Sequence, residues 1–333
     1  MNTPSIAVIG TGSLACIFAA RLSAVANVQM IGSWRSQIDA INNTGLTVHE
    51  IDGSCNVVQV EALDSVDDNP AYKADFVIVL VKSFQTAQAL ERVKSVAGPH
   101  SCVLTLQNGL GNIEQIKRVV PDRYVTAGTT LQAANISDVA NVRHAGNGVT
   151  VVDDVPRLKT LIRCLQQAGI PVESPRLAGA DSIAQVIWRK LIINSAVNPL
   201  TALLGRPNGF LADNAQARLL SEATAMETLQ VAVHEQIWNS SADIDAQHLV
   251  TEAARVTAEN RSSMLQDISR GSRTEIEAMC GEVVAHASRH GQPAPLNQLW
   301  LKLIKEVEGK SFSAGDQLKF DTARLLGLAG LEG

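Results

Sequence analysis

The stretch that decides the fold is residues 6–15, IAVIGTGSLA. Residues 6–9 form a short apolar run that stops at Gly10, which predicts a buried parallel strand. Residues 14–26 are rich in alanine and predict a helix directly after the turn. A strand, a GxGxxA turn and a helix in this order favour the dinucleotide-binding form of a βαβ unit.

Each small residue of the turn has a physical reason in that interpretation. Gly10 permits the tight turn, Gly12 lets the backbone approach a pyrophosphate, and Ala15 keeps the helix close to the sheet. The helix N-terminus supplies unpaired N–H groups and a favourable dipole for an anion. An ordinary glycine turn is the alternative. The predicted cofactor-binding residues of this turn are Gly10, Thr11, Gly12, Ser13, Leu14 and Ala15.

Outward from the turn, apolar runs at 28–31, 76–81 and 102–106 predict further strands that alternate with helices. This order predicts an α/β class with an N-terminal Rossmann-like doubly wound sheet. The pattern then becomes helical, which predicts an all-α C-terminal domain. We expect domains 1–178 and 179–333, and residues 311–333 fit either a closing helix or a frayed tail. The predicted helices of the second domain are 183–204, 212–237, 245–267, 274–290 and 296–307.

The residues after the second predicted strand indicate which dinucleotide binds. NAD enzymes usually place an acid there to hold the ribose 2′-hydroxyl. The sequence instead has Gly32-Ser33-Trp34-Arg35, with no acid before Asp39. Because a guanidinium group can hold a 2′-phosphate by a forked contact, Arg35 favours NADP(H). A surface arginine without a ligand is the alternative.

Two polar residues follow the strongest strand patterns. Lys82 closes the run FVIVLV, and Asn108 follows the run CVLTL. Carboxyl ends of parallel strands face the binding crevice of such sheets. We therefore expect Gly10, Lys82 and Asn108 on one edge, although a strand-end lysine can also be merely solvated.

A polar stripe runs along the predicted helix 183–204. Lys190, Asn194 and Asn198 recur every four residues among apolar neighbours, so they lie along one helical face. Buried ammonium and amide groups need partners, and such a line suggests a ligand pocket rather than a solvent face. Pro199 removes the backbone hydrogen bond to the Ser195 carbonyl and predicts a kink.

Two other clusters have simpler explanations. Ser272 and Glu275 have the spacing of a capping box, which on local grounds makes Glu275 a helix cap. His286 and His290 stand four residues apart but lack an evident third metal ligand. No metal site is expected.

Composition sets the class of protein. Hydrophobic residues make up 46% and charged residues 18%, which is typical of a globular protein. The net charge of −5 gives no support to nucleic-acid binding. Five scattered cysteines indicate a reducing compartment, and no signal peptide or membrane span is evident. We expect a cytoplasmic protein with no membrane partner; its oligomeric state stays open, a homodimer included.

Six segments together resemble the ketopantoate reductase (2-dehydropantoate 2-reductase) family: GTGSLA, LVKSFQ, LQNGLGNIE, RHAGNG, WRKLIINSAVNPLTAL and SSMLQDISRGSRTEIE. The resemblance covers nearly the whole chain and implies a Rossmann domain followed by a helical one. It also implies reduction of 2-dehydropantoate to (R)-pantoate by NADPH, a step of pantothenate and coenzyme A biosynthesis.

The resemblance assigns roles residue by residue. It implies that Lys190 is the proton donor and that Glu275 is a site residue on the cofactor side, where it can orient Lys190. Asn108 is implied to contact both cofactor and substrate. The remaining implied positions are Lys82 and Ala134 toward the cofactor, and Asn194, Asn198, Asn208, Asn260 and Ser263 toward the substrate.

Departures from the family pattern leave the substrate open. Residues 129–132 differ from some members, and Asp153-Asp154-Val155-Pro156 stands where an Ile-Gly pair is expected. A D-2-hydroxyacid dehydrogenase for another branched or aromatic 2-keto acid is the main alternative. A regulator that senses NADP without turnover is the third reading, and the intact Lys190 stripe argues against it.

Overall fold

A computed structural model of the chain describes residues 3–64, 72–310 and 320–331. These residues form two compact units. One unit contains residues 1–107 and 111–186, and the other contains residues 108–110 together with 187–333. The short segment 108–110 therefore belongs with the helical part of the chain, although it follows a strand of the sheet.

The first unit is built on one sheet of parallel and antiparallel strands. The strands of the described residues are β1 (Ser5–Ile9), β2 (Asn27–Ile31), β3 (Leu46–His49), β4 (Cys55–Val58), β5 (Glu61–Leu63), β6 (Ala74–Val79), β7 (Ala97–Thr105), β8 (Val125–Asp138), β9 (Asn141–Val152) and β10 (Val172–Glu173). Its helices are α1 (Ser13–Leu22), α2 (Arg35–Thr44), α3 (Thr86–Val96), α4 (Asn112–Ile116) and α5 (Lys159–Gln167).

Strand order confirms the predicted α/β class. Six strands lie in the order β5-β2-β1-β6-β7-β8 and pair in parallel. This is the strand order of a doubly wound dinucleotide-binding sheet. Beyond β8 the sheet continues through β9, β3 and β4, and the pairs β8–β9 and β3–β4 are antiparallel. The antiparallel extension was not predicted from the sequence.

Helix α1 shows why the turn sequence folds as it does. Its side chains are nearly all small or apolar, and Ala15, Cys16 and Phe18 are fully buried against the sheet. Alanine and cysteine near the start of the helix let its axis approach the strands closely. The helix begins at Ser13, immediately after the two glycines.

The second unit is helical. Its helices are α6 (Ile183–Leu204), α7 (Phe210–Asp213), α8 (Ala215–His234), α9 (Ala246–Val256), α10 (Ser263–Ser269), α11 (Glu282–Arg289), α12 (Pro295–Val307) and α13 (Thr322–Ala329). A π-helical turn, Glu277–Gly281, precedes α11. The first residues of α6 are counted with the other unit. The all-α character predicted for this part of the chain is confirmed.

Three predicted helices of this unit are wrong in extent, two of them because a polar side chain caps a new start. Asn214 accepts a hydrogen bond from the Ala217 N–H and begins α8, so residues 212–237 do not form one helix. Ser262 caps α10 in the same way through the Leu265 N–H, which separates it from α9. The helix predicted at 274–290 begins only at Glu277, as a π-helical turn.

The end of the chain is partly described. Residues 320–331 include α13, which Asp321 caps through the Arg324 N–H, whereas residues 311–319 lie outside the described residues. Across the described residues, no helix combines the length and the apolar character needed to span a bilayer.

Candidate active site

The carboxyl ends of the central parallel strands lie side by side. The Gly10 N–H donates to the Ile31 carbonyl at 2.8 Å, and the Leu80 N–H donates to the Ile9 carbonyl at 2.9 Å. These bonds hold the loops after β1, β2 and β6 at one edge of the sheet. Gly10 and the segment that leads to Lys82 are therefore together at the edge where such sheets bind ligands.

The glycine turn fits a bound dinucleotide. Gly10 has a φ of +129°, and a Cβ there would lie 3.0 Å from the Leu80 carbonyl oxygen, so the fold itself requires this glycine. Gly12 is different, because a Cβ at that position would meet no atom of the described residues within 4 Å. The missing side chain at Gly12 leaves open space beside the first turn of α1. No side chain caps that turn, which is the arrangement that an approaching pyrophosphate needs.

Arg35 begins α2 and is 71% exposed. Its Nε lies 3.1 Å from a carboxylate oxygen of Asp39, and its Nη1 lies 4.0 Å from one of Asp64. Asp64 follows β5, the strand that pairs with β2. An acidic residue, Asp64, therefore does lie beside Arg35. It follows the neighbouring strand β5 rather than β2.

Lys82 and Ala134 have separate positions in the first unit. Lys82 is half-buried, and its backbone N–H donates to the Gln85 side chain at 3.2 Å. Ala134 lies on β8, pairs with His144 on β9 and packs against the core cluster that contains α1. Lys82 lies near the glycine turn in the fold, whereas the contacts of Ala134 connect it with the antiparallel extension.

In the second unit, helix α6 carries Lys190, Asn194 and Asn198 along one face. Lys190 and Asn194 are half-buried, and Asn198 is buried. The Asn198 amide donates to the Met279 sulfur at 3.5 Å. Further along the same helix, the Ser195 carbonyl loses its usual donor at Pro199, and the Cys280 thiol lies 3.8 Å from it. Helix α6 is thus packed against the π-helical turn.

Glu275 stands just before that turn and is 5% exposed. It lies two residues before the first residue of the π-helical turn, whose N-cap is Ile276, and this geometry overturns the predicted capping box. Its carboxylate instead accepts a hydrogen bond from the Asn108 amide at 3.3 Å. Asn108 and Glu275, which are 167 residues apart, are brought together within one unit.

Gly109 makes that contact possible, and sequence reasoning missed it. Its φ is +76°, and a Cβ there would lie 2.1 Å from the Ala278 carbonyl oxygen. The next residue, Leu110, donates its N–H to the same carbonyl at 2.9 Å. The segment 108–110 therefore lies directly on the π-helical turn. The glycine in the sequence LQNGLG was the available signal.

The electrostatics of Lys190 follow from its surroundings. Desolvation by the surrounding protein lowers the pKa of its ammonium from 10.5 to about 8, while the negative charge of Glu275 acts in the opposite direction. At neutral pH the side chain remains protonated, yet it gives up its proton more readily than an exposed lysine. A group with this acidity is suited to proton transfer near pH 7.

Met279 and Cys280 are further residues that the sequence did not single out. Both are buried in the π-helical turn, and burial raises the pKa of the Cys280 thiol above its usual range. Such turns are uncommon and occur frequently at functional sites. The turn needs an extra residue in a helix, which leaves no recognisable pattern in a single sequence.

The remaining predicted substrate residues lie around the start of α10. The Asn208 N–H donates to the Asn260 carbonyl at 2.9 Å, and the Asn208 amide donates to the Thr257 hydroxyl at 2.9 Å. The side-chain oxygen of Asn208 is buried and has no hydrogen-bond partner among the residues that the structure describes. Ser263 and Asn260 are exposed. The neighbouring Ser262 is buried and accepts from the Thr201 hydroxyl of α6 at 2.8 Å.

Within the described residues, no group of three or more potential metal ligands has the geometry to hold a metal ion. His286 and His290 instead both contact Glu235, at 2.7 and 3.0 Å.

Two family models match the chain. Residues 6–157 match the model described as ketopantoate reductase PanE/ApbA. Residues 182–308 match the model of the C-terminal region of the same family. Together the two matches cover most of the chain.

Curated relatives and solved structures agree with those models. The chain is 31% identical over 310 residues to a 2-dehydropantoate 2-reductase of Pyrococcus horikoshii, covering 91% of this chain and 97% of the relative. It is 29% identical to one of Archaeoglobus fulgidus, covering 92% and 99%. A PanE/ApbA family ketopantoate reductase from Ralstonia eutropha matches with a TM-score of 0.81 and 27% identity, covering 91% and 98%.

A further structural match is a ternary structure of D-mandelate dehydrogenase with NADH and anilino(oxo)acetate. It has a TM-score of 0.83 and 22% identity, covering 91% of this chain and 98% of that one. This likeness shows a shared fold.

Proposed function

The chain belongs to the ketopantoate reductase family, and we propose that it reduces 2-dehydropantoate to (R)-pantoate with NADPH as a step of pantothenate and coenzyme A biosynthesis. The family consists of NADP-dependent oxidoreductases that act on a CH–OH group. A small keto acid is therefore the class of substrate. We assign most of the cofactor contacts to residues 1–178 and most of the substrate contacts to residues 179–333, with Asn108 and Glu275 as the residues that serve across this division.

One observation carries the proposal. Lys190 lies on a largely buried helix and has a pKa lowered to about 8. The negative charge of Glu275 acts on its ammonium group, and Glu275 accepts a hydrogen bond from Asn108. An acid held this way can protonate an oxygen that becomes negative during a reaction, because it is charged at neutral pH and easily deprotonated. The reduction of a ketone to an alcohol requires such a proton donor.

When bound, NADPH would supply the hydride, with both of its electrons, for the C2 carbon of the keto acid. The π bond of the carbonyl breaks, and its electrons move onto the oxygen. Lys190 holds that oxygen by a charged hydrogen bond and transfers a proton from Nζ, which yields the alcohol. Such a donor contributes typically about 100-fold to 10,000-fold in rate. Glu275 keeps the ammonium charged and oriented, and Asn108 holds the Glu275 carboxylate.

Uncharged polar side chains would bind the rest of the substrate. The Asn198 amide donates to a thioether, a weak acceptor, so its transfer to a substrate oxygen costs little. Asn194 stands between Lys190 and Asn198 on α6. Among the residues around the start of α10, the buried and unpartnered oxygen of Asn208 can accept from a hydroxyl group. The remaining proposed contacts are Asn260 and Ser263.

On the cofactor side, the turn of residues 10–15 would hold the pyrophosphate. The open space at Gly12 and the uncapped first turn of α1 support this assignment. Arg35 would hold the 2′-phosphate. Lys82, Ala134, Asn108 and Glu275 complete the proposed set by their match to the family motifs.

The proposal is tested by following the loss of NADPH absorbance with a panel of 2-keto acids that includes 2-dehydropantoate. The expected result is a kcat/KM for 2-dehydropantoate well above that for the others. Preference for another branched or aromatic keto acid would make the protein a D-2-hydroxyacid dehydrogenase. Cofactor binding without turnover of any keto acid would favour an NADP sensor.

A further inference from the structure

Two strand ends bring a set of charges together beside the proposed 2′-phosphate site. Strands β2 and β5 are parallel neighbours, and the Gly32 N–H after β2 donates to the Leu63 carbonyl of β5 at 3.0 Å. The next residue after Leu63 is Asp64, and Arg35 stands three residues after Gly32. In dinucleotide-binding sheets the group that distinguishes the ribose hydroxyl from its phosphate ester is located at the end of the second strand. Asp64 reaches this location from the adjacent strand.

The Asp64 carboxylate is shared by two guanidinium groups. One of its oxygens lies 3.5 Å from Nη2 of Arg92, and the other lies 4.0 Å from Nη1 of Arg35. Arg92 is further fixed because its Nε donates to the Asp64 carbonyl at 3.2 Å. Arg92 is also the more buried of the two arginines, with 25% of its side chain exposed against 71% for Arg35. Asp64 therefore links a well-held arginine with a freely accessible one.

Among the residues that the structure describes at this point, the formal charges cancel. Arg35 and Arg92 contribute two positive charges, and Asp39 and Asp64 contribute two negative ones. A 2′-phosphate has to compete with carboxylates for the guanidinium donors, and the Asp64 charge repels it. A ribose 2′-hydroxyl carries no charge and does not experience this repulsion. This competition therefore weakens the binding of NADPH and does not affect the binding of NADH.

We propose that Asp64 is a specificity-determining residue for the cofactor. Its carboxylate holds Arg35 and Arg92, competes with the 2′-phosphate for them and so limits the preference for NADPH over NADH. This inference rests on the proposed use of NADP(H). It assigns to Asp64 a role opposite to that of Arg35, which supplies the attraction.

The test measures binding rather than turnover. Dissociation constants for NADPH and NADH are determined by isothermal titration calorimetry on the full chain, at one fixed low ionic strength, for the wild type and Asp64→Asn. The adenosine end is probed separately with 2′-AMP and 5′-AMP. We expect Asp64→Asn to tighten NADPH and 2′-AMP about fivefold and to leave NADH and 5′-AMP within about twofold, because one nearby repulsive charge is removed.

Matched variants separate this effect from its alternatives. Asp122→Asn makes the same change in net charge, but Asp122 precedes the amino end of β8, at the opposite edge of the sheet, and is expected to have no effect. Arg35→Ala is expected to weaken NADPH about tenfold and NADH much less. In the Arg35→Ala background, Asp64→Asn should tighten NADPH binding by a smaller factor than it does in the wild-type background.

Two results would overturn the proposal. Weaker NADPH binding in Asp64→Asn would mean that Asp64 only positions the arginines, and an unchanged ratio of the two dissociation constants would mean that it plays no part. Both leave the proposed function intact as long as the wild type binds NADPH. A wild type that binds neither dinucleotide would overturn the proposed function as well.

Discussion

The glycine turn at residues 10–15 and the polar face of α6 are built in opposite ways. The turn is local in sequence, since β1 and α1 lie directly on either side of it, and only Gly10 is further constrained by the ends of β2 and β6. The face of α6 becomes a candidate site only when the segment 108–110 and the π-helical turn, both remote in sequence, lie against each other. The comparison teaches that the proposed cofactor-binding turn is encoded in one short stretch of sequence, whereas the proposed proton donor depends on tertiary packing.

The largest expected effect concerns the proton donor. Lys190→Ala should lower kcat by about 100-fold or more and leave the dissociation constant of NADPH nearly unchanged. The substitution removes the charged group from the polar face of α6 and leaves the glycine turn as it is. Stopped-flow or steady-state kinetics together with a fluorescence titration of NADPH measure the two quantities. Lys302→Ala, at an exposed position of α12, is the control. Near-normal turnover in Lys190→Ala would refute the role of Lys190.

The dependence on tertiary packing is tested at Gly109. In Gly109→Ala, the added methyl group would lie 2.1 Å from the Ala278 carbonyl, so the segment must move away from the π-helical turn and take Asn108 with it. We expect kcat to fall by roughly tenfold to 100-fold. Gly291→Ala is the matched control, because its φ of +64° is equally unfavourable for alanine but a Cβ there meets nothing within 4 Å.

Thermal melting of both glycine variants separates stability from activity. Equal losses of activity in Gly109→Ala and Gly291→Ala, at equal melting temperatures, would show that the close approach at Ala278 has no part in the reaction.

The local character of the glycine turn is tested at Gly12. Because a Cβ at Gly12 has no neighbour within 4 Å and its φ of −77° suits any residue, Gly12→Ala should fold with an unchanged melting temperature. The same methyl group would stand in the space proposed for the pyrophosphate, and we expect NADPH to bind about tenfold more weakly. Calorimetry with NADPH gives the affinity. Wild-type affinity in Gly12→Ala would remove the pyrophosphate from this position.

The smallest effect is a shift in pH dependence. Since Lys190 must be protonated to act, kcat/KM is expected to fall as the pH rises through about 8. The charge of Glu275 raises the pKa of Lys190, so Glu275→Gln should move this alkaline limb to lower pH. A pH–rate profile of both proteins checks the direction. Asn108→Asp serves as a second probe, because it adds a negative charge near Glu275, which should move the limb upward.

Much of the fold was predictable because its signals are local. The apolar runs around β1, β2, β6 and β7 and the long helix α6 follow from hydrophobic patterning, which needs only neighbours in sequence. The antiparallel pair β8–β9 was missed, since its mixed polar sequence has no clean alternation. The breaks before α8 and α10 depend on the capping side chains of Asn214 and Ser262. Asparagine and serine are preferred cap residues, but they also occur inside helices, so their presence alone does not mark a helix start.

By itself, the sequence determined the dinucleotide turn and the alignment of Lys190, Asn194 and Asn198, because both follow from the fixed geometry of a turn and a helix. Only the tertiary structure decided what faces these residues. It brought Glu275 to Asn108 and beside Lys190, replaced the apparent cap by a π-helical turn, and set Asp64 next to Arg35 from a neighbouring strand. The physical reason is that charge acts through space, so the acidity of Lys190 and the charge balance at Arg35 depend on residues that the chain order keeps far apart.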